Sequence, residues 1–453
     1  MHKSIPLLLA ALLLFLAGCQ TSQDKTALQT NETDQVSRKV SISDVENGIR
    51  ANIESRTKEG GGYFNFHKDT VDLSLKLVRV HTEYLSILGP NAFFACVDLA
   101  TADGDVYDMD FFLNGDPEEM QVTSIDLHKL NGKPYYTWKQ GKDKTWFTVP
   151  VENASNDLLG VVEVQDHFTF TYEAQLPEIT ESAKMWIPIA QSDRFQTIEL
   201  LSLQVPGKQE MLREEKFGNS ILYLQLLPEH SGQKITINYR VERIEKAAYS
   251  ESDTDLQKYL GSSSLLPVGG RFSTIDDEIF LEKQADSPLT KARAIYDHII
   301  DNMRYAKEGV YGTGDANYAC DSKSGNCTEF HSYFISLARS AGIPARFAVG
   351  AAIPSERNDG DVDGYHCWAE FYAEGKWWPI DISEGNKYTA LATYYFGHHP
   401  ANRIELSRGR DIVPIPTPQS GPINFLAYPV MEIAGKPVFV KTKFSFVRLT
   451  PNS

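Results

Sequence analysis

Gly325-Asn326-Cys327-Thr328-Glu329-Phe330-His331 is the stretch around which the chain is organised. Downstream of it, Phe330, Phe334, Leu337 and Ala341 recur at i, i+4, i+7 and i+11 and form one apolar face of a helix. Asn326 reads as the N-cap and Gly342 as the C′ residue, with Arg339 in the last turn and Pro344 beyond. Cys327 therefore falls in the first helical turn, where free backbone N–H groups and the helix dipole favour a thiolate over a thiol. It is a candidate nucleophile. Its alternative is a small buried residue closing the helix start, the commoner use of a free cysteine. A base and a group to orient it must come from elsewhere.

Both are found downstream. Gly364-Tyr365-His366-Cys367-Trp368-Ala369-Glu370-Phe371-Tyr372 reads as a strand, Glu374-Gly375 as a two-residue hairpin loop, and Lys376 to Asp381 as the returning strand. Pairing Ala373 with Lys376 sets Trp368 opposite Asp381 and His366 opposite Ser383, so His366 and Asp381 become diagonal neighbours on one face. A carboxylate beside an imidazole holds its tautomer and stabilises the imidazolium. A Cys–His–Asp set forms a thiolate–imidazolium pair able to attack an acyl carbon and leave a thioester.

Four blocks occur in order: Gly325-Asn326-Cys327-Thr328-Glu329-Phe330, Arg339 to Arg346, Gly364 to Glu370, and Trp378-Pro379-Ile380-Asp381. Together they resemble the bacterial transglutaminase-like superfamily over residues 280–385 or so. The resemblance implies an α+β protein with a papain-like core, in which Cys327 is nucleophile, His366 general base and acid, and Asp381 orienter. It implies acyl transfer from an amide of a protein or peptide substrate (proteolysis, deamidation or transamidation), with no cofactor required. The alternative is a catalytically idle module that serves as a periplasmic or surface scaffold. The backbone N–H of Cys327 is a natural oxyanion donor. For a second donor the candidates are Asn302 and Tyr305, near the end of the preceding helix, each with a structural role as its alternative.

A competing motif overlaps this region. Asp359, Asp361 and Asp363, with Gly364 and then Glu370, match a calcium-loop pattern. No helix precedes it, His366 occupies a position where an apolar residue is expected, and Glu370 is wanted in the strand, so the strand is the expected reading and a calcium site the alternative. Asp103, Asp105, Asp108 and Asp110 read as the solvated face of a strand, Cys96 as core, and His398-His399 as a solvated loop.

The chain has 453 residues, enough for two or three cores, and an ordinary hydrophobic fraction of 42%. A formal charge of −16 without a polybasic patch argues against nucleic acid as a partner. Lys3 and the apolar run Leu7 to Leu16 form a leader, too short to span a bilayer, that ends in Leu16-Ala17-Gly18-Cys19. This resembles the lipobox of bacterial lipoproteins. It implies lipidation at Cys19 and, with Gln20 following, an outer-membrane anchor facing the periplasm or the cell surface. Of the other four cysteines, Cys320 and Cys367 are the pair open to a disulfide in such a compartment.

The organisation expected is a signal peptide at 1–18, a tether at 19–40, a small α+β domain at 41–150 (loosely cystatin-like), a β-sandwich-like domain at 151–248 and the transglutaminase-like domain at 249–453. The first domain opens on a helix with Ser43 and Glu46 as capping box and Val45, Ile49 and Ile53 as its stripe. Strands at Val71 to Leu77, Phe93 to Val97 and Val106 to Leu113 follow, with a turn at Asp103-Gly104. In the last domain, Ser287-Pro288 caps a helix whose buried face is Leu289, Ala292, Ile295, Ile299 and Met303.

Overall fold

The computed structural model describes residues 40–449, apart from 69, 82–85, 90, 118, 141–145, 151–162, 252–254, 308, 356 and 388–390. The expected leader at 1–18, Cys19 and the tether up to residue 39 lie outside the described residues. Among the described residues, no helix is long and apolar enough to cross a membrane.

The first helix, Ile42–Glu59, starts slightly earlier than predicted because Ser41, not Ser43, caps it. Asp44 N donates to Ser41 Oγ at 3.2 Å and Ser41 N donates to Asp44 Oδ2 at 2.7 Å. Val45, Ile49 and Ile53 are buried against an antiparallel sheet whose successive strands include Phe64–Lys68, Val71–Val80, Ala92–Thr101, Val106–Asn114 and Gln121–Leu130. Met109, Phe111 and Leu113 point toward that helix, so the alternating residues Asp108 and Asp110 point the other way.

That other face is not solvated, which corrects the sequence reading of Asp108 and Asp110: both are buried. Val78, Ala100 and Val106 join the core around the helix Pro288–Asn302, and Arg293 on that helix reaches Asp98 with its Nη2 at 2.7 Å. Asp103, at the turn, is exposed as expected.

Two five-stranded sheets form the sandwich. One has the order Gln196–Gln204, Lys234–Ile244, Gln165–Gln175, Lys441–Arg448, Asp359–Val362. The other runs Lys208–Arg213, Ser220–Leu226, Ala183–Ile189, Val430–Ile433, Lys436–Val438. The expected boundaries at 248 and 453 are therefore displaced. The chain leaves the sandwich after Ile244, builds another core that lends only Asp359–Val362 to a sandwich edge, and returns at Val430 to pair both sheets. The free side of Gln165–Gln175 is taken by Lys441–Arg448, with Tyr172 opposite Phe444 in register. A central strand cannot leave one row of amides and carbonyls unpaired in the interior.

The intervening core is a four-stranded antiparallel sheet ordered Lys376–Ile380, His366–Ala373, Ala345–Ala352, Arg403–Arg408. The helix Cys327–Ser340 packs on it, and Phe330, Phe334 and Leu337 are fully buried. Its predicted caps are present: Asn326 Oδ1 accepts from Thr328 N at 2.8 Å, and Gly342 takes φ 76°. The hairpin has the expected register, with Ala373 opposite Lys376 and Ala369 opposite Ile380; Glu374 and Gly375 have φ 52° and 76°. Positive φ at both loop residues matches the right-handed twist of the flanking strands. The helix Arg271–Lys283, which had no capping signature, was not anticipated; its N-cap is Gly270 and it makes no side-chain cap bond.

Gly350 lies where Ala345–Ala352 is squeezed between two partner strands, and a Cβ there would sit 1.8 Å from the Ile404 carbonyl oxygen. Replacing Gly350 by Ala should destabilise the chain by about 2 kcal/mol or more, since backbone rather than a flexible side chain must move. Urea unfolding of the variant checks this, and a midpoint equal to that of the parent chain would show that the strand gives way freely.

Candidate active site

Cys327 opens its helix as the first residue after the Asn326 cap and is 2% exposed. Local sequence dictates this. Glu329, three residues after the cap, accepts from Asn326 N on its Oε2 at 3.0 Å, completing a capping box. Glu329 does more than cap. Its Oε1 accepts from Gly312 N at 2.9 Å and Gly314 N at 2.8 Å, so one buried carboxylate ties the glycine-rich loop to the start of the helix.

His366 begins the strand His366–Ala373, and Asp381 immediately follows Lys376–Ile380. The hairpin register brings them together: His366 Nε2 donates to Asp381 Oδ2 at 2.6 Å. With Nε2 engaged, Nδ1 is the nitrogen left to face the sulfur, and Cys327 and His366 line the same cleft and interact electrostatically. The structure thus brings all three sequence-predicted residues into one buried group.

Sequence reasoning missed four groups around them. Arg403 Nη1 donates to Asp381 Oδ2 at 2.7 Å from the neighbouring strand Arg403–Arg408. Ser383 Oγ and the Glu384 backbone N–H donate to Asp381 Oδ1 at 2.9 and 3.1 Å. His331, one turn after Cys327, receives the Ile382 N–H on Nε2 at 3.1 Å. Its proton must then be on Nδ1, which lies 2.7 Å from the Cys327 carbonyl oxygen. A helical i, i+4 spacing was the one available signal for His331. Arg403 had none, because its contact depends on sheet order.

The electrostatics follow from these contacts. Burial pushes the Cys327 thiol up, but hydrogen bonds from Cys367 and His366 and the charge of His366 outweigh it and hold the thiol well below its ordinary value. Burial disfavours the His366 imidazolium, yet the Asp381 charge and hydrogen bond, with Cys327, raise its pKa to about 9. Burial alone would protonate Asp381, but His366 and Arg403 keep it well below the usual carboxylate range. Burial pushes the His331 imidazole down from its ordinary value. These directions favour a thiolate at Cys327 beside an imidazolium at His366 held by the Asp381 carboxylate.

A cleft of about 1140 Å³ opens over Cys327 and His366, lined among others by Tyr305, Tyr311, Tyr365 and Asn402. Tyr305 is therefore placed at the site. Asn302 is not: it sits exposed at its helix end, with Nδ2 donating to the His298 carbonyl at 2.9 Å. The calcium ligand set is not assembled either. Glu370 is buried and bound to Lys246, to Arg346 Nε at 2.6 Å and to Tyr249, while Asp361 and Asp363 pair with Lys443 and Lys307 at the surface. Burial opposes ionisation of Glu370, but Lys246 and Arg346 hold its carboxyl well below the ordinary range. His398 and His399 are buried, not in a solvated loop. Cys320 and Cys367 are both free thiols, and Cys367 instead lies beside Cys327 and His331.

A cysteine at a helix start, a histidine on the adjoining strand and a carboxylate behind it define a papain-like arrangement of groups. Residues 277–382 match the sequence model of the transglutaminase-like superfamily, so this part of the chain is a transglutaminase-like core. It is similar to an uncharacterised protein of Haemophilus influenzae, 25% identical over 60% of this chain and 86% of that one. It also resembles the uncharacterised protein YebA of Bacillus subtilis, 24% identical over 54% of this chain and 37% of the relative's length. Among solved structures, a candidate cysteine protease from Cytophaga hutchinsonii aligns with 14% identity and a TM-score of 0.42, over 64% of this chain and 93% of that one. A candidate protease from Parabacteroides distasonis aligns with 12% identity and a TM-score of 0.22, over 64% and 63% of the two chains.

Replacing Glu329 by Gln puts an amide NH₂ where backbone donors already point. One of the Gly312, Gly314 and Asn326 N–H groups must then lose its acceptor, at a cost of about 1–3 kcal/mol. The variant should unfold at lower urea and be cut by trypsin at Lys307 faster than the parent chain. An unchanged cleavage rate would mean that the loop is held by other contacts.

Proposed function

We propose that this protein is a cysteine-dependent acyltransferase or hydrolase of amide bonds, a peptidase, amidase or transamidase, working through a thioester on Cys327. The observation that carries the reading is the buried contact series Cys327–His366–Asp381, closed by Arg403 and opening on a cleft of peptide-accommodating size. The thiolate sulfur attacks the amide carbon. His366, as imidazolium, gives its proton to the leaving amine, and then as imidazole takes one from the incoming water or amine. Asp381 holds the ring and its charge, while His331 and Arg403 position Cys327 and Asp381. The Cys327 N–H, in the first turn of its helix, and the Tyr305 hydroxyl are the oxyanion donors we assign. Burial raises the pKa of Tyr305, so it keeps its proton to donate. Leu16-Ala17-Gly18-Cys19 supports an anchored lipoprotein of the outer membrane, with protein or peptide as substrate.

The thiolate should persist at pH values where an ordinary thiol, with a pKa near 9, is protonated. Iodoacetamide should therefore label Cys327 at pH 6 faster than Cys96, Cys320 or Cys367. Turnover of a peptide amide should be flat through neutral pH and fall as pH rises through about 9, where His366 loses the proton it must give. In the Asp381→Asn variant that fall should move to lower pH. Labelling of Cys327 no faster than of the other thiols would sink the reading. Fast labelling with no turnover of any amide would favour the idle binding module instead.

Removal of the Tyr305 hydroxyl in Tyr305→Phe should lower kcat by about 10²-fold, with Cys327 labelling unchanged, since the oxyanion forms only on the reaction path. An unchanged kcat would remove Tyr305 from that role.

A further inference from the structure

Outside the active site, one cluster in the N-terminal sheet has the composition and geometry of a metal centre. Cys96 lies on Ala92–Thr101, Asp108 and Asp110 on Val106–Asn114, and His128 on Gln121–Leu130. All four are buried, and one ligand atom from each lies within 4.8 Å of all the others.

Three backbone features build this cluster. Cys96 and Asp110 are direct cross-strand partners. Asp108 and Asp110 are two residues apart and so share a face. Asp108 pairs with Lys129 while Met109 pairs with Leu127, which leaves His128 as the extra residue of a β-bulge. A bulge re-aims a side chain that regular alternation would place elsewhere.

The donor atoms are close but incompletely satisfied. Cys96 Sγ donates to Asp110 Oδ1 at 3.0 Å. His128 Nδ1 is 3.3 Å from Asp110 Oδ1 and 3.8 Å from Asp108 Oδ1 without the alignment of a hydrogen bond. Among the described residues, neither His128 Nδ1 nor Asp108 Oδ1 has a hydrogen-bond partner, although His128 is 7% and Asp108 3% exposed. Two buried polar atoms facing one another in this way are costly unless something sits between them. The second oxygen of each carboxylate is by contrast well held. Lys129 Nζ lies 2.8 Å from Asp108 Oδ2, and Tyr136 OH donates to Asp110 Oδ2 at 2.7 Å, with the Tyr136 ring stacked on His128. Outer contacts of this kind orient the ligands of protein-bound metals.

We propose that Cys96, Asp108, Asp110 and His128 form a four-ligand structural site for a divalent metal of the zinc class. Sulfur and imidazole exclude calcium and magnesium, which take oxygen ligands, whereas thiolate, imidazole and carboxylate together suit zinc. Tetrahedral ligands at about 2.0–2.3 Å from zinc lie roughly 3.3–3.8 Å apart, so the observed cluster needs only small closure. On binding, the Cys96 S–H bond breaks, its proton goes to solvent and the sulfur electron pair goes to the metal, replacing the bond to Asp110. The ion's two positive charges with that of Lys129 balance two carboxylates and the thiolate. Asp98, directly opposite Asp108 in the sheet, holds Arg293 of the helix Pro288–Asn302, so the ion would stiffen the sheet face packed on the catalytic core. This inference is independent of the acyl-transfer reading.

Cobalt(II) titration of the full chain carrying Cys327→Ala, which removes the thiolate of the active site, tests it. One equivalent should bind with the visible spectrum of a tetrahedral centre and a sulfur-to-cobalt charge-transfer band, and zinc should displace it. Cys96→Ser should abolish that band, and Tyr136→Phe should weaken binding about tenfold or more. Failure of cobalt to saturate, or a spectrum unchanged in Cys96→Ser, would overturn the site. Should Cys96→Ser not fold, X-ray absorption on the zinc-loaded Cys327→Ala chain decides. One sulfur at about 2.3 Å with nitrogen or oxygen neighbours supports the proposal, and no sulfur or more than one refutes it.

Discussion

Asp381 is the group on which the candidate site depends. It is fully buried and carries its charge there, a state that survives only because every lone pair is used. His366 and Arg403 bind one oxygen, and Ser383 and the Glu384 N–H bind the other. These partners come from a hairpin strand, from the far strand of the same sheet and from the first turn of the helix Ile382–Lys387. His331 links the Cys327 helix to the same turn by accepting the Ile382 N–H on Nε2. A single carboxylate thus registers three elements against one another, and any shift among them leaves a buried charge or a buried donor unmatched.

Two other buried carboxylates work on the same principle with different partners. Glu329 collects backbone N–H groups and therefore positions a loop, whose Tyr311 and Gly312 border the cleft. Glu370 collects Lys246, Arg346 and Tyr249, so it joins the core sheet to the segment entering from the sandwich. Arg346 and Glu370 are direct cross-strand partners, and neither lines the cleft. The acidic twelfth position of the calcium-loop pattern is committed to the cations of Lys246 and Arg346.

The core is also held from two sides. The N-terminal sheet contributes Val78, Ala100 and Val106 to the same hydrophobic cluster as Cys327 and Phe330, and the sandwich borders the cleft through Val362 and Tyr428. Because the chain returns to the sandwich at Val430 after completing the core, the core is an insertion tied at both ends. Its ends are fixed by strand pairing, which restricts how far the cleft walls can separate.

Local sequence alone determined the Cys327 helix with its Asn326 cap, the Glu374-Gly375 hairpin and the register that makes His366 and Asp381 neighbours. Each of these depends on contacts spanning fewer than about twenty residues, where capping, turn chemistry and strand alternation are strong. Tertiary structure alone decided the partners of Asp381 from Arg403, the use of Glu370, the burial of Asp108 and Asp110 and the return of Val430–Arg448 to the sandwich. Whether a strand's second face is wet or covered is set by what else in the chain packs on it. For Asp108 and Asp110, alternation correctly put them on the face away from the first helix, but Lys129 and Tyr136 hold them there, and Asp98, opposite Asp108, takes Arg293 from a helix that begins about 190 residues later. Period-two spacing carries which residues share a face; only packing assigns that face to solvent or to the interior.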